Sequence, residues 1–393
     1  MSGRLTEKKF ILLGGTYSNK GGEAIVRGTL KTLRKIGVSF EYIVDPDPLF
    51  PNEFYKEENL IPIFRWSKSF LKYPEPLNKF IAVLDCLKKS NDSRLKDTKV
   101  PIWYVGDSSL NDYHSVLSLM GQTINLLSLK KATGGKLVIN ASLGYTRTKI
   151  GEYILKLFLK NCDYFFVRGR YSLTNLKRLG VNPSRISIIC DFAFHLERME
   201  TERTKRYLKI IKDQEIPAVG LIFKPIYRIR NEDYLGAIRK VYETLSKDYR
   251  IFFIPTSYSH SFDENDLVFL ERFGLKPILN IKSYTPEEII SIFSGFEFVI
   301  TTRLHGGVFS ILAEVPTIHI YEADNSLDVI GDTFGDLLPL IHISEFLRNP
   351  DRVIEEGKKL IQMRDEIAKE MHYRIKRNLK NSIDVLKSVL DML

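Results

Sequence analysis

The chain has 393 residues, enough for about two domains at roughly 100–200 residues each, and its 44% hydrophobic content is ordinary for a chain that buries cores. With 58 Lys and Arg against 48 Asp and Glu the formal net charge is +10, which favours anionic partners (phosphorylated small molecules, nucleic acid, an anionic membrane surface) or serves solubility alone. Cys86, Cys162 and Cys190 form no CxxC pair, so a disulfide framework or structural zinc site is not expected, and neither is a membrane span, since no stretch approaches roughly 18 apolar residues.

The first strand expected is Phe10–Leu13. Its apolar run is about four residues, far below a signal-peptide core, which fits a cytosolic protein. It leads into "GGTYSNKGGEAI", a glycine-rich turn opening a helix whose face carries Val26, Leu30 and Leu33 and which Gly37 closes. This is neither GxGxxG nor a P-loop. Asn19, Lys20, Gly21, Gly22 and Glu23 are candidates to face a polar acceptor, because glycines and the amides of a helix start admit close ligand approach. The alternative is a turn needing glycine for backbone geometry only.

A strand at Phe40–Val44 follows. Phe54 to Lys99 does not alternate cleanly; it mixes Phe64, Trp66, Phe70 and Tyr73 with Arg65, Lys68, Lys72 and Lys79. Such a mixture suits an anionic lipid surface or a large acceptor, or is an ordinary basic insertion. Strand Ile102–Val105 ends in "GDSSLNDYH". There Asp107 is a candidate proton acceptor, and Asp112 and His114 are candidates for sugar hydroxyls; Asp and Asn also cap helices, here one from Tyr113 to Lys131. Strands Leu137–Asn140 and Phe165–Val167 come next. Arg168 directly after the latter can clamp a phosphate or carboxylate, and the helix behind it, Tyr171 to Leu179, closes at Gly180. Ile186–Ile189 ends the first series.

Residues 196–217 are charge-rich and read as a connection, partly helical. The second series has strands Val219–Phe223, Ile251–Ile254, Phe298–Ile300 and Thr317–Ile320. His260, in the loop after the second of these, is either a donor contact or a surface histidine. Thr285, Pro286 and Glu288 spell a capping box. The strand Phe298–Ile300, the loop "TTRLHGG", a helix to Glu314 and Thr317–Ile320 make one βαβ unit. Thr302, Arg303, His305, Gly306 and Gly307 therefore stand where a strand ends and a helix begins. The helix amides and dipole attract an anion there, Arg303 adds fixed charge, and His305 adds a titratable donor. The alternative for His305 is a capping or packing role. A long helix runs from about Asp351 to the end.

Taken together, "TTRLHGGVFSILAEVP", "NKGGEAI", "VRGRYSLTNLKRLG" and "CDFAF" resemble, in order and spacing from about residue 10 to about residue 325, the motifs of the polysaccharide pyruvyl transferase family. Gly169 stands where the family usually has an acidic residue, Phe192 where it has proline, and the acidic "YEADNSLD" where it commonly has a lysine. The resemblance implies a GT-B-like α/β fold of two Rossmann-like domains with parallel sheets facing across a cleft. It implies transfer of a pyruvyl group from phosphoenolpyruvate, without metal or cofactor, to a sugar of a cell-surface polysaccharide or lipid-linked glycan. Arg303 and Arg168 would bind the donor and His305 would act as general acid.

The expected domains are 1–195, a connection 196–217, 218–350 and a C-terminal helix 351–393. Two rival functions stay open: a glycosyltransferase of the same fold using a nucleotide sugar, and a non-catalytic glycan-binding or scaffold member. Nucleic acid is not expected as a partner; a peripheral contact with the inner membrane face stays open beside an ordinary basic insertion.

Overall fold

The computed structural model describes residues 8–46, 50–63, 92–106, 110–112, 115–212, 215–226, 229–259 and 265–392. The chain forms two compact units. The first is Met1–Tyr17, Ile25–Phe192 and Lys380–Leu393; the second is Ser18–Ala24 and Ala193–Leu379.

The first unit holds a parallel sheet of strands β1 (Lys8–Gly14), β2 (Val38–Val44), β3 (Ile61–Ile63), β4 (Ile102–Val105), β5 (Leu137–Asn140), β6 (Tyr164–Val167) and β7 (Ile186–Ile188). Their order is β3-β2-β1-β4-β5-β6-β7, so the winding reverses between β1 and β4. β5 and β6 are buried at every position, which is why they read as unbroken apolar runs. Trp103 on β4 stacks on Phe166 of β6 at 5.2 Å, with the edges of Phe10 and Phe192 against it. Gly14 and Gly15 have φ of +91° and +106°, a conformation open to glycine, and a Cβ on Gly14 would lie 2.9 Å from the Val105 carbonyl oxygen. The turn after β1 therefore needs its glycines for geometry.

The second unit holds β8 (Ala218–Ile222), β9 (Arg250–Phe253), β10 (Phe298–Thr301), β11 (Thr317–Tyr321) and β12 (Leu340–His342), parallel throughout in the order β12-β11-β10-β8-β9. Here the winding reverses between β8 and β10. The expected capping box forms: Thr285 Oγ1 accepts from the Glu288 amide and Glu288 Oε2 from the Thr285 amide, at the start of the helix Pro286–Phe293.

Three boundaries differ from the sequence reading. Residues 196–217 are partly helical, as expected of them, but they lie within the second unit: Glu202–Lys212 is a helix tied to it where Thr201 and Arg203 bind Glu288. The C-terminal helix is two, Asp351–Gln362 and Arg364–Leu390, and its last turns belong to the first unit, where Ser382 Oγ accepts from the Cys190 amide at 2.8 Å. Finally, Ser18–Ala24 packs with the second unit, not the first. Most of the basic aromatic segment, residues 64–91, lies outside the described residues, and no helix among those described is long and apolar enough to cross a membrane.

Candidate active site

In the second unit the strands on either side of the winding reversal, β8 and β10, end side by side. Their ends are laced together. The Thr302 amide donates to the Ile222 carbonyl at 2.8 Å, and Thr302 Oγ1 accepts from the Lys224 amide at 2.9 Å. Thr301 Oγ1 accepts from the Arg303 amide at 3.0 Å and donates to the Arg303 carbonyl at 2.9 Å, which closes the turn into the helix Leu304–Leu312. Arg303 is the N-cap residue of that helix, with no side-chain cap. An open α/β sheet presents its ligand crevice at such a reversal, beyond the strands' carboxyl ends.

Gly306 and Gly307 turn their Cα atoms toward the sheet. A Cβ on Gly306 would lie 2.5 Å from Thr301 Oγ1 and 2.7 Å from Ile222, and one on Gly307 would lie 2.8 Å from Ile330. Gly306 thus lets the helix sit close on β8 and β10, and Gly307 lets it sit close on Ile330 and on His319 of β11.

Arg303 is aimed by Asp266. Its Nη2 donates to Asp266 Oδ1 at 2.5 Å and its Nε reaches both carboxylate oxygens at 3.1 and 3.2 Å. Asp266 is fully buried and also accepts from the amides of Thr256 and Ser257, each at 3.0 Å. A carboxylate so held cannot swing away, so the guanidinium plane is set before any ligand arrives. Beside it, Lys224 Nζ faces Glu322 Oε2 at 3.6 Å. Burial, and then the positive charge of Arg303, lower the Lys224 pKa from its ordinary value. His319, within β11, is fully buried; burial first, then the charges of Lys224 and His305, push its pKa down to about 3. It is neutral, and its Nε2 shares a hydrogen bond of 2.9 Å with Ser326 Oγ.

The glycine-rich turn completes the site. Asn19 pairs with Ser257 as an antiparallel bridge, the Lys20 amide donates to the Thr256 carbonyl at 2.9 Å and the Tyr258 amide to the Ser18 carbonyl at 2.7 Å. These backbone bonds assign Ser18–Ala24 to the second unit. Asn19 Oδ1 accepts from the Gly21 amide at 2.9 Å as the helix Lys20–Lys35 begins. Gly21 lies against the His305 ring: a Cβ there would be 2.6 Å from His305 Cβ and nearer still to the ring. Lys20 and Glu23, each 1% exposed, pair at 2.9 Å.

The structure therefore brings Asn19, Lys20, Gly21, Glu23, Thr302, Arg303, His305, Gly306 and Gly307 into one unit, together with Gly22 of the same turn. Arg168 and Asp112 lie in the first unit. Arg168 is buried, paired with Asp191 at 3.1 Å and bonded to the Gly106 carbonyl. Both Asp112 oxygens accept hydrogen bonds, from the Arg147 amide at 2.6 Å and from the Thr148 amide and hydroxyl at 2.9 and 2.6 Å. Ser115, not Asn111 or Asp112, caps the next helix, Val116–Thr133. Asp107, His114 and His260 lie outside the described residues. Sequence reasoning missed Lys224, Asp266, Glu322 and His319. Lys224 was open to the rule that selected Arg303, since it too follows a buried strand; the pairing of Asp266 with Arg303, 37 residues apart, carries no local signal.

Solved structures with this fold are similar over nearly their whole length. A UDP-GlcNAc 2-epimerase from Methanocaldococcus jannaschii has TM-score 0.55 and 15% identity, with 91% of this chain and 99% of that one covered. Anabaena Alr3699/HepE, solved with UDP and glucose, has TM-score 0.60 and 12% identity over 98% and 100%. A putative UDP-N-acetylglucosamine 2-epimerase from Listeria monocytogenes has TM-score 0.60 and 13% identity over 99% and 98%. At these identities the likeness is one of fold, and it agrees with a GT-B-like pair of all-parallel α/β domains. No match is found among curated proteins. The model of the polysaccharide pyruvyl transferase family matches residues 19–325, from Asn19 of the glycine-rich turn, through Arg303 and His305, to the loop after β11. On that match, across most of its length, the chain belongs to the polysaccharide pyruvyl transferase family.

Proposed function

We propose that this protein transfers a pyruvyl group from phosphoenolpyruvate to a sugar of a cell-surface polysaccharide or lipid-linked glycan, forming a ketal with no metal or organic cofactor. Family membership supports the reaction class. The observation that carries the donor is the juxtaposition, at the β8/β10 reversal, of an arginine pre-aimed by Asp266 and a histidine on the first turn of the following helix.

Phosphoenolpyruvate brings a phosphate and a carboxylate, and a planar guanidinium binds either bidentately. His305 donates a proton to the methylene carbon, which becomes a methyl group and leaves a cationic carbon bearing carboxylate and phosphate oxygen. One sugar hydroxyl adds to that carbon, the C–O bond to phosphate breaks, and a second hydroxyl closes the ketal. The two hydroxyl protons leave on inorganic phosphate and on the imidazole, which restores its acid form. General acid catalysis of this kind is worth about 10²–10⁴-fold. A cytosolic site agrees with cysteines that form no CxxC pair.

Purified protein incubated with phosphoenolpyruvate and nitrophenyl or lipid-linked sugars tests the reading by phosphate release and acceptor mass. Loss of turnover in His305→Ala with phosphoenolpyruvate binding retained is the expected result. A second reading, transfer from a nucleotide sugar, has the UDP-bound structures of the same fold in its favour. Thermal stabilisation by UDP or UDP-sugars, with no calorimetric binding of phosphoenolpyruvate, selects it. Cellular glycan unchanged by His305→Ala selects a non-catalytic role.

A further inference from the structure

We propose that Lys224 is the second cation of this site, contacting the donor's phosphate or carboxylate beside Arg303, and that Glu322 is the counter-ion it exchanges for that ligand. The inference rests on the reading of the β8/β10 reversal as the donor site.

Position comes first. Lys224 stands two residues beyond the end of β8, and Arg303 two residues beyond the end of β10. These are the two strands that flank the reversal, where a doubly wound sheet opens its ligand crevice. Thr302 fixes their spacing, because its amide and hydroxyl bind the Ile222 carbonyl and the Lys224 amide. Tyr234 Oη holds the same segment by donating to the Lys224 carbonyl at 3.1 Å.

The two cations differ in how they are neutralised. Asp266 is fully buried and bound by two backbone amides as well as by Arg303, so it is a permanent support. Glu322 meets Lys224 at 3.6 Å, beyond a normal hydrogen bond, and the Lys224 side chain keeps a quarter of its exposure. The Lys224–Glu322 contact is thus the longer of the two ion pairs, against 2.5 Å for Arg303 and Asp266, and Glu322 is the partner exchanged. The depressed proton affinity of Lys224 points the same way: with Arg303 beside it and water largely removed, its charge calls for more negative charge than Glu322 and Asp266 supply. Among the described residues, His319 also faces this cluster, and being neutral it supplies none.

Glu322 also sets selectivity. It lies directly after β11, in a loop anchored by the His319–Ser326 hydrogen bond and continuing into a π-helical turn, Leu327–Gly331. An entering ligand must outcompete a carboxylate for Lys224. A compact anion with more than one charge, a phosphate ester with a carboxylate, does so; a simple monocarboxylate does not. The acidic "YEADNSLD" segment thereby has a role beside a cation supplied from β8.

Calorimetric titration with phosphoenolpyruvate, inorganic phosphate and UDP tests this in the full chain, using Lys224→Met, Lys224→Arg, Glu322→Gln and Arg303→Met, each checked by thermal unfolding. Lys224→Met is expected to weaken phosphoenolpyruvate binding about tenfold or more, and Lys224→Arg to retain most of it. Glu322→Gln is expected to tighten binding about two- to fivefold. Unchanged affinity in Lys224→Met, with binding lost in Arg303→Met, overturns the role of Lys224 and leaves the donor reading standing. Binding of phosphate or UDP but not phosphoenolpyruvate, sensitive to Lys224, keeps the cation pair and removes the donor. If no anion binds the wild type, both fall. Should Lys224→Met fail to fold, weakened or unchanged binding in Glu322→Gln overturns the exchange.

Discussion

Gly21→Ala isolates the contact that places His305. Glycine in a helix costs about 0.5–1 kcal/mol relative to alanine, so propensity alone makes this substitution stabilising. The packing opposes it: the new methyl would lie 2.6 Å from His305 Cβ, with the ring atoms closer still. Because Cβ is among the clashing atoms, turning the ring about χ1 cannot relieve the overlap, and the helix start or the His305 backbone must shift. Such overpacking costs about 1–3 kcal/mol, so the net expectation is destabilisation by roughly 0.5–2 kcal/mol. A misplacement of the acid by about 1 Å is enough to lower turnover on the order of 100-fold. The assay is a double-mutant cycle of Gly21→Ala and His305→Gly, read by urea unfolding of the second unit. With His305 reduced to glycine the obstruction is gone, and Gly21→Ala should become favourable by its propensity gain. A coupling energy of about 1–3 kcal/mol is expected; a value under about 0.5 kcal/mol refutes the contact as the constraint on His305.

Asp266→Ala strands a largely buried arginine and two backbone amides, and should cost about 3–5 kcal/mol while abolishing anion binding in whatever protein remains folded, measured by chemical denaturation and calorimetry. Asp191→Ala should cost a similar amount, because Arg168 and Asp191 are paired at no more than 1% exposure; Arg168→Met together with Asp191→Leu should recover most of it. His319 gives a pH signature. Its folded pKa of about 3 lies below the ordinary 6.5, so between those values the unfolded chain binds a proton that the native one refuses. Stability therefore falls as pH drops through that window, by up to about 1.4 kcal/mol per pH unit, and His319→Gln should flatten the slope in denaturation curves taken from pH 7 to pH 4. An unchanged slope would show that His319 does not titrate on unfolding.

The interior strands were legible because parallel strands buried on both faces must be apolar throughout. Phe298–Thr301 and Leu137–Asn140 announce themselves in this way. The edge strands Ile61–Ile63 and Leu340–His342 did not. Each is three residues long, one contains Pro62 and the other ends in an exposed histidine, and each pairs with only one neighbour. The capping box at Thr285 was readable because its four residues are consecutive and its hydrogen bonds local. The break at Met363 was not: the apolar positions keep helical spacing across it.

The placement of Arg303 and His305 at a strand end and helix start was likewise written in the sequence, since strand, turn glycines and helix follow one another within ten residues. Whether those glycines faced a ligand or the protein's own interior was not, and the structure turns Gly306 toward β8 and β10 and Gly307 toward Ile330 and β11. Nor could the sequence foretell that Ser18–Ala24 would leave the unit of its chain neighbours and pair with Thr256–Tyr258.

What the sequence determined by itself was the class of fold, the alternation of elements and the identity of the residues at one strand end, because these depend on local propensity and on burial pattern. What the tertiary structure decided was the company those residues keep: Asp266 holding Arg303, Gly21 against His305, Lys224 set two residues past β8 as Arg303 is past β10. Such contacts join positions tens to hundreds of residues apart, and only the order in which the strands lie in the sheet determines which ends meet.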